Sequence, residues 1–214
     1  MWLNIFMLID QDIRLLGKVP QNLLENFAKE LNSIEDWTHS DFDRAGDKLT
    51  SRTIIYSYGR RPEPFQVESE QVLKIRSAFR PLSDWLETVF TNHVLFKCEI
   101  SCVQPHTILP YHYDYCWFHE HASRIHIPII TNDQCFFLSE DRLHHLPYGS
   151  YYEVNNRILH AFWNQSSIHR IHAILDVFNK DIYDKAMRDN IDLNLPTTKI
   201  VEIDPKEILT NLLI

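Results

Sequence analysis

The spacing of apolar positions changes near residue 93. Before that point, apolar side chains often recur every three or four positions, which is the period of an amphipathic helix. One such stretch begins after Pro20 and places Leu23, Phe27 and Leu31 on a single face. A proline suits the start of a helix, because its missing N–H is not needed there. The sequence therefore predicts a helix after Pro20.

Three other segments lie in the same part of the chain. Residues 1–9 are apolar and are followed by charged side chains, which predicts a buried strand. Residues 53–58 are β-branched and aromatic, a composition that favours a second strand. Helical periodicity returns at 72–79 and at 82–89. We expect two helices here, separated near Pro81, because proline removes a backbone donor from a helix interior.

From residue 93 onward, apolar and polar residues alternate, which is the period of a half-buried strand. The alternation begins at residues 94–102, and further strands are predicted at 124–130, 134–138, 150–154 and 168–178. Turn-forming residues separate these segments. Many short strands at this spacing predict a mainly β fold with flanking helices (α+β), in which the strands form a sandwich or barrel of the jelly-roll kind.

A chain of 214 residues is enough for one compact domain. We expect residues 1–92 to form a support region, residues 93–180 to form the β core that carries the site, and residues 181–214 to form a helical tail. Within the tail, Asp204 and Pro205 give a helix start signal. That tail helix packs on the sheet or forms a dimer contact, and the sequence leaves both open.

Composition argues against several classes of protein. The formal net charge is −8, from 29 acidic and 21 basic residues, and the nearest approach to a basic cluster is Arg60–Arg61. No nucleic-acid partner is expected, because such proteins need a basic surface. Residues 1–9 read neither as a signal peptide nor as a membrane span. We expect a cytoplasmic monomer or homodimer whose four cysteines, without CxxC spacing, are reduced and buried.

One constellation of residues carries chemistry. His112 and Asp114 are two positions apart, a spacing that on a strand points both side chains to the same face. His160 lies 48 positions after His112, and a jelly-roll can fold it back beside the pair. Two imidazoles and one carboxylate are the ligands that hold Fe(II) on one face and leave the opposite face open. The sequence therefore predicts a metal centre at His112, Asp114 and His160.

Arg170 follows His160 by ten positions, on the next predicted strand, and we expect a hairpin between them. Its planar guanidinium can bind a carboxylate through two parallel hydrogen bonds, so it could anchor a dicarboxylate beside the metal. The HxD pair alone is a weak signal, since 12 histidines produce one easily by chance. Specificity comes from joining the pair to a distant histidine, an arginine at a short offset and a β-rich context.

Aromatic residues near the ligands allow two interpretations. Tyr115, Trp117 and Trp163 are candidates for the wall of a substrate pocket, but alternate residues on a ligand-bearing strand must also pack in the core. The sequence leaves this open.

The remaining paired histidines are expected outside the site. His119 and His121 are predicted in a mobile loop near its mouth, and His144–His145 in a surface loop beside Pro147.

A series of short motifs surrounds the predicted metal ligands and Arg170, and together they form a pattern that can be compared with known families. In order they are Ser101, Pro110-Tyr111-His112-Tyr113-Asp114, Arg124-Ile125-His126-Ile127, Thr131-Asn132, Gly149, His160, Arg170-Ile171-His172 and Leu175-Asp176-Val177. In order and spacing they resemble the aspartyl/asparaginyl β-hydroxylase family of Fe(II)/2-oxoglutarate-dependent dioxygenases, and its L-proline cis-4-hydroxylase branch most closely. The resemblance implies a double-stranded β-helix core (jelly-roll, cupin-like).

Carried over by position, His112, Asp114 and His160 resemble the iron ligands of that family. The animal aspartyl/asparaginyl enzymes have glycine where this chain has Asp114. The proline hydroxylase branch keeps the carboxylate, as this chain does. A halogenase needs that position vacated for halide, so the resemblance favours hydroxylation with O2 as the oxidant.

The same resemblance assigns the 2-oxoglutarate contacts. Arg170 resembles the arginine that pairs with the distal carboxylate, and Ser101 and His126 resemble its supporting contacts. Arg124 resembles an arginine that binds a carboxylate of the substrate or of the cosubstrate.

Three functions stay open. The leading one is hydroxylation of an unactivated C–H bond of a free amino acid, proline-like or other, with release of succinate and CO2. Hydroxylation of aspartyl or asparaginyl residues in a peptide or protein is the alternative among enzymes. It is less favoured because the chain shows no repeat array for gripping a polypeptide. A non-oxygenase cupin-like metal-binding protein is the alternative of another class, and it would not need Arg170.

Overall fold

In the computed structural model, two antiparallel β-sheets face each other and helices cover the outer side of one of them. The structure describes residues 11–34, 50–57, 70–114, 117–139, 142–191 and 199–200. The elements in chain order are β1 (Ile13–Lys18), α1 (Gln21–Asn32), β2 (Thr50–Ser57), α2 (Glu70–Val89), β3 (His93–Val103), β4 (Thr107–Tyr113), α3 (Trp117–His121), β5 (Ala122–Ile130), β6 (Cys135–Ser139), β7 (Arg142–His145), β8 (Ser150–Val154), β9 (His160–Asn164), β10 (Arg170–Asn179), α4 (Lys180–Arg188) and β11 (Lys199–Ile200).

The strands pair into a six-stranded sheet, in the order β1-β8-β5-β10-β3-β2, and a five-stranded sheet, in the order β11-β4-β9-β6-β7. Every pairing among these strands is antiparallel. The prediction of a mainly β, jelly-roll fold with flanking helices is confirmed. The expected hairpin between His160 and Arg170 is wrong, because β9 and β10 belong to different sheets.

The two faces of the six-stranded sheet differ in chemistry. Along β10, Ile171, Ala173, Leu175 and Val177 join the apolar core under α1 and α2. The alternate residues, which include Arg170, His172 and Asp176, are buried on the other face, toward the five-stranded sheet. Period-two alternation thus separates an apolar outer layer from a polar interior between the sheets.

The helix after Pro20 is confirmed as α1. Its buried residues are Leu24, Phe27 and Leu31, while Leu23 is only partly buried.

The predicted break at Pro81 is wrong, because α2 runs unbroken from Glu70 to Val89. Phe79 and Leu82, on either side of the proline, are both buried against the sheet. Packing of this stripe outweighs the loss of about 3 kcal/mol that an interior proline causes.

Two histidine predictions are corrected here. His144–His145 form part of β7 and not a surface loop. The Nε2 atom of His144 lies 2.8 Å from Ser139 Oγ and 3.1 Å from Asp12 Oδ2. His119 lies in the short helix α3 and is buried, not in a mobile loop.

The structure tests the prediction of buried cysteines at three of the four positions. Cys98, Cys102 and Cys135 are buried thiols, as expected, while Cys116 lies outside the described residues. The predicted strand at 1–9 and the predicted helix after Pro205 also lie outside them. In the part of the chain that the structure describes, no helix is long and apolar enough to cross a membrane.

Candidate metal centre

A bulge in β4 helps to aim the first histidine into the interior. Leu109 pairs with Phe162 and His112 pairs with His160, so three steps along β4 match two along β9. An extra residue in one strand shifts the alternation of its side chains. The bulge lets both Leu109 and His112 face the interior, and it sets the two histidines directly opposite each other.

Asp114 lies just after the end of β4, where its backbone N–H donates to the carbonyl of Asn156 at 3.2 Å. Its Oδ1 lies 3.9 Å from His112 Nε2, and its Oδ2 lies 3.8 Å from His160 Nε2. One ligand atom from each residue lies within 4.8 Å of the others, and all three side chains are buried. The structure therefore brings the three predicted ligands together.

Backbone carbonyls orient both imidazoles. Nδ1 of His112 lies 2.9 Å from the carbonyl of Pro110, and Nδ1 of His160 lies 2.9 Å from the carbonyl of Ile158. A carbonyl can only accept, so each Nδ1 carries the proton and each Nε2 keeps a lone pair. Metal-binding histidines commonly show this arrangement. The donor set and its tautomers fit a divalent metal ion such as Fe(II).

The carboxylate ligand is held in its ionised form. Burial alone would raise the pKa of Asp114, but the Arg124 guanidinium, followed by His119, His160 and His112, holds that pKa well below its usual range. A metal-binding carboxylate must be deprotonated. Asp114 is therefore ready to bind a cation at neutral pH.

Arg124 makes four hydrogen bonds to three buried side chains, Asp176, Asp114 and His119. Its Nε and Nη2 donate to the two oxygens of Asp176, at 2.9 and 3.1 Å, and its Nη1 donates to Asp114 Oδ2. Nη2 also donates to His119 Nε2 at 2.6 Å. Burial opposes the charge of Arg124, but Asp176 and Asp114 raise its pKa above the usual value. Burial, and then Arg124, lowers the pKa of His119 to about 4, so this imidazole is a neutral acceptor.

Arg170 is a buried cation of a different kind. Its Cζ lies 4.6 Å above the ring of Phe162, and its Nη2 donates to His172 Nδ1 at 2.9 Å. Among the described residues, its Nη1 has no hydrogen-bond partner and no carboxylate pairs with it. Burial lowers the pKa of Arg170. A buried charge without a counter-ion is costly, so this guanidinium is suited to bind an anion.

Ser101 and His126 lie on the same interior face as Arg170. Ser101 pairs with His172 across the β3–β10 ladder. His126 stacks on Phe162, with ring centroids 5.8 Å apart, and its Nδ1 lies 3.4 Å from His172 Nδ1. Burial, and then the Arg170 charge, holds the pKa values of His126 and His172 well below their usual range. The predicted cosubstrate residues are thus gathered around one cation.

Comparison with known proteins identifies the family. A model of the aspartyl/asparaginyl β-hydroxylase family matches residues 17–180, more than half of the chain. The chain belongs to the aspartyl/asparaginyl β-hydroxylase family. The match includes all three predicted ligands and Arg170, and it confirms the resemblance drawn from the sequence.

Two individual proteins are similar to this chain, one in sequence and one in fold. The chain is 25% identical over 136 residues to L-proline cis-4-hydroxylase of Rhizobium meliloti (strain 1021), which is 61% of this chain and 45% of that protein. The chain thus spans less than half the length of this curated relative. A prolyl hydroxylase from Trichoplax adhaerens, solved with a peptide fragment of the hypoxia-inducible factor oxygen degradation domain, shares the fold. The two structures superpose with a TM-score of 0.52 at 12% sequence identity, over 83% of this chain and 88% of the Trichoplax chain.

Of the three predicted pocket residues, the structure describes the side chain of Trp163 alone, and it does not face the centre. Trp163 lies on the opposite face of β9 from His160 and contacts Phe136, with ring centroids 6.4 Å apart. Tyr115 and the side chain of Trp117 lie outside the described residues.

Phe162 connects the candidate metal ligands to the predicted cosubstrate residues, a role that the sequence did not predict for it. Its ring lies beside Arg170 and His126 on one sheet, and 6.0 Å from the ring of His160 on its own strand. The signal was present in the sequence, since residues two apart on a strand share a face and Phe162 follows His160 by two. His172 and Asp176 share a face with Arg170 by the same rule.

Proposed function

We propose that this chain is an Fe(II)/2-oxoglutarate-dependent hydroxylase that acts on an unactivated C–H bond of a free amino acid. The observation that carries the proposal is the pairing of two features across the interior. His112, Asp114 and His160 converge on one side. Arg170, a buried cation that no described carboxylate pairs with, lies on the facing sheet.

His112, Asp114 and His160 would hold the metal ion. When bound, Fe(II) supplies the activation of O2, coupled to oxidative decarboxylation of 2-oxoglutarate. The balanced reaction converts the substrate, O2 and 2-oxoglutarate into hydroxylated substrate, succinate and CO2. The protein's part is to keep Asp114 ionised and both Nε2 lone pairs available. A complete set of three protein ligands favours hydroxylation over halogenation.

Arg170 would bind the distal carboxylate of 2-oxoglutarate through its planar fork. Ser101 and His126 would support that contact. Both histidines beside Arg170 are neutral at pH 7, so they add hydrogen-bonding capacity without a second cation. A metal-binding protein without oxygenase activity has no need of a buried anion anchor, which argues against that alternative.

The choice of a free amino acid as the substrate is the more specific part of the proposal. Its support is the likeness to L-proline cis-4-hydroxylase. The second candidate is a residue within a peptide, since the family description names aspartyl and asparaginyl residues and the Trichoplax neighbour is bound to a peptide. Both candidates use the same centre and differ only in what approaches it.

The first experiment tests the centre. Anaerobic addition of Fe(II) and 2-oxoglutarate to the metal-free protein should give a visible metal-to-ligand charge-transfer band. His112→Ala and Asp114→Ala should abolish it, because each removes one of three ligands. His106→Asn is the matched control, since His106 is exposed and its positive φ of 54° is tolerated by asparagine. The absence of a band in the wild-type protein would refute the oxygenase proposal.

The second experiment addresses the substrate. Succinate release is measured across a panel of free amino acids and short peptides, with proline, aspartate and asparagine in both forms. Stimulation by free amino acids supports the proposal. Stimulation by peptides alone would replace it with peptidyl hydroxylation.

A further inference from the structure

We infer that Asp176 is a positioning residue for the metal centre, which acts through Arg124 to fix the ligand Asp114 and to balance the charge beside the ion. The inference rests on the proposed function, since it presumes a metal ion at His112, Asp114 and His160. It also gives Arg124 a task other than the binding of a substrate carboxylate.

The three residues form a continuous chain of contacts. Asp176 on β10 and Arg124 on β5 are partners in the ladder between these strands. Asp176 accepts two hydrogen bonds from Arg124, and this bidentate pair fixes the plane of the guanidinium. The Nη1 atom of the fixed guanidinium then donates to Asp114 Oδ2. All three side chains are buried, so water does not weaken these contacts.

Charge balance gives Asp176 a second effect. Arg124 donates directly to a carboxylate ligand, so its positive charge opposes the arrival of a divalent cation at that carboxylate. Asp176 supplies one negative charge against the same guanidinium. When Asp176 balances the charge of Arg124, the negative charge of Asp114 remains available to the metal ion. Without Asp176, Arg124 would compete with the ion for Asp114.

The N–H groups of Arg124 are mostly occupied, unlike those of an arginine that is ready to bind a carboxylate. A guanidinium has five N–H groups. Asp176 takes two of them, and Asp114 and His119 take one each. The single N–H group that remains cannot form the bidentate pair of hydrogen bonds with which an arginine binds a substrate carboxylate. Arg170, by contrast, makes one hydrogen bond to the described residues and keeps an Nη1 without a partner there.

The test measures metal binding and not turnover. Metal-free wild-type protein, Asp176→Asn and Glu153→Gln are titrated with Co(II), which has a visible spectrum. Glu153 is the matched control because it is also a buried carboxylate paired with an arginine, Arg14. Its partner in the strand ladder is Ile125, which faces the apolar core on the other side of the sheet from Arg124. Loss of a residue that orients a metal ligand weakens metal binding by about 10- to 100-fold. We expect that loss in D176N, with an altered Co(II) spectrum, and wild-type affinity in E153Q.

A double-mutant cycle tests the route through Arg124. If Asp176 acts through that guanidinium, D176N should change Co(II) affinity little in an Arg124→Met background. An equal loss in both backgrounds would overturn the route.

The outcomes separate the two proposals. A wild-type protein that binds no metal would refute the proposed function. Metal binding by the wild type with equal affinities for D176N and E153Q would overturn only the role of Asp176. Should D176N fail to fold, Asp176→Glu displaces the carboxylate but keeps its charge. Weaker binding with a changed spectrum then supports the inference, and unchanged binding overturns it.

Discussion

Arg124 and Arg170 lie in the same interior and have opposite surroundings. Arg124 is held by two carboxylates, Asp114 and Asp176, so its charge is already balanced. Arg170 rests on Phe162 and touches His172, and no carboxylate of the described chain pairs with it. Residue type alone predicts neither role. The number of nearby carboxylates distinguishes a cation whose charge is already balanced from one that is suited to bind an anion.

At the residue scale, Arg170→Lys should weaken 2-oxoglutarate binding and leave metal binding intact. Lysine keeps the charge but loses the planar fork and the stacking on Phe162. Impairing a buried charged pair costs about 2 kcal/mol or more, so KM for 2-oxoglutarate should rise by roughly 30-fold. Arg142→Lys, at a mostly exposed arginine of β7, serves as the control. Unchanged KM in R170K, by succinate assay, would contradict the anchor.

Sequence spacing predicted the candidate ligands and Arg170, which the structure brings to facing sheets, because chemistry restricts those positions to few residue types. It missed the partners that depend on register between strands. Asp176 meets Arg124 only because β5 and β10 are neighbours in that alignment. Phe162 reaches Arg170 only because two sheets face each other. Such contacts follow from the assembled fold and leave no short motif behind.

At the element scale, local propensity and packing compete. The bulge in β4 and the unbroken helix α2 both depart from what a local rule predicts. In α2, buried residues before and after Pro81 fall on one stripe, so the helix continues. In β4, the shifted alternation turns His112 toward its partner His160. Predictions of element type held where periodicity was long, and they missed short strands such as β7 and β9.

Replacing Pro81 should make α2 more stable. Pro81 is exposed, so Pro81→Ala leaves no cavity and restores one backbone donor. We expect the free energy of unfolding to rise by about 2 kcal/mol, after part of the gain of about 3 kcal/mol is offset by a more flexible unfolded chain. Urea unfolding measures the change. Asp84→Ala, at another exposed position of α2, reports the effect of alanine alone, and a P81A gain no larger than that of D84A would contradict the prediction.

At the scale of the whole molecule, the polar interior makes the fold sensitive to acid. His119, His126 and His172 are buried and neutral. In the unfolded chain, histidine titrates near its ordinary pKa of about 6.5. Below that pH the unfolded state binds protons that the folded state does not, so stability falls as the pH drops from about 6.5 toward 4. The depressed pKa of Asp114 acts only at lower pH, near the ordinary carboxyl range.

His119 alone should contribute about 2 kcal/mol to the loss between pH 7 and pH 5, since burial and Arg124 lower its pKa to about 4. Urea unfolding of the metal-free protein at pH 7, 6 and 5 measures this loss. His119→Gln cannot gain a proton in this range and should show a shallower dependence. Identical pH dependence in the two proteins would contradict the prediction.

The division of the centre between two sheets makes its parts separable. The ligands lie at the end of β4 and on β9, while Arg170 and its neighbours lie on the facing sheet. A cosubstrate bound to both would bridge the gap, which the Arg124–Asp114 and Phe162–Arg170 contacts already cross. Substitutions close to Arg170, such as those at Ser101 and His126, could then retune the preferred length of the dicarboxylate while the choice of metal stays unchanged. Asp176, further along β10, is different because it acts on Asp114 through Arg124. An engineer, or natural divergence, can therefore alter the anion anchor without replacing a metal ligand.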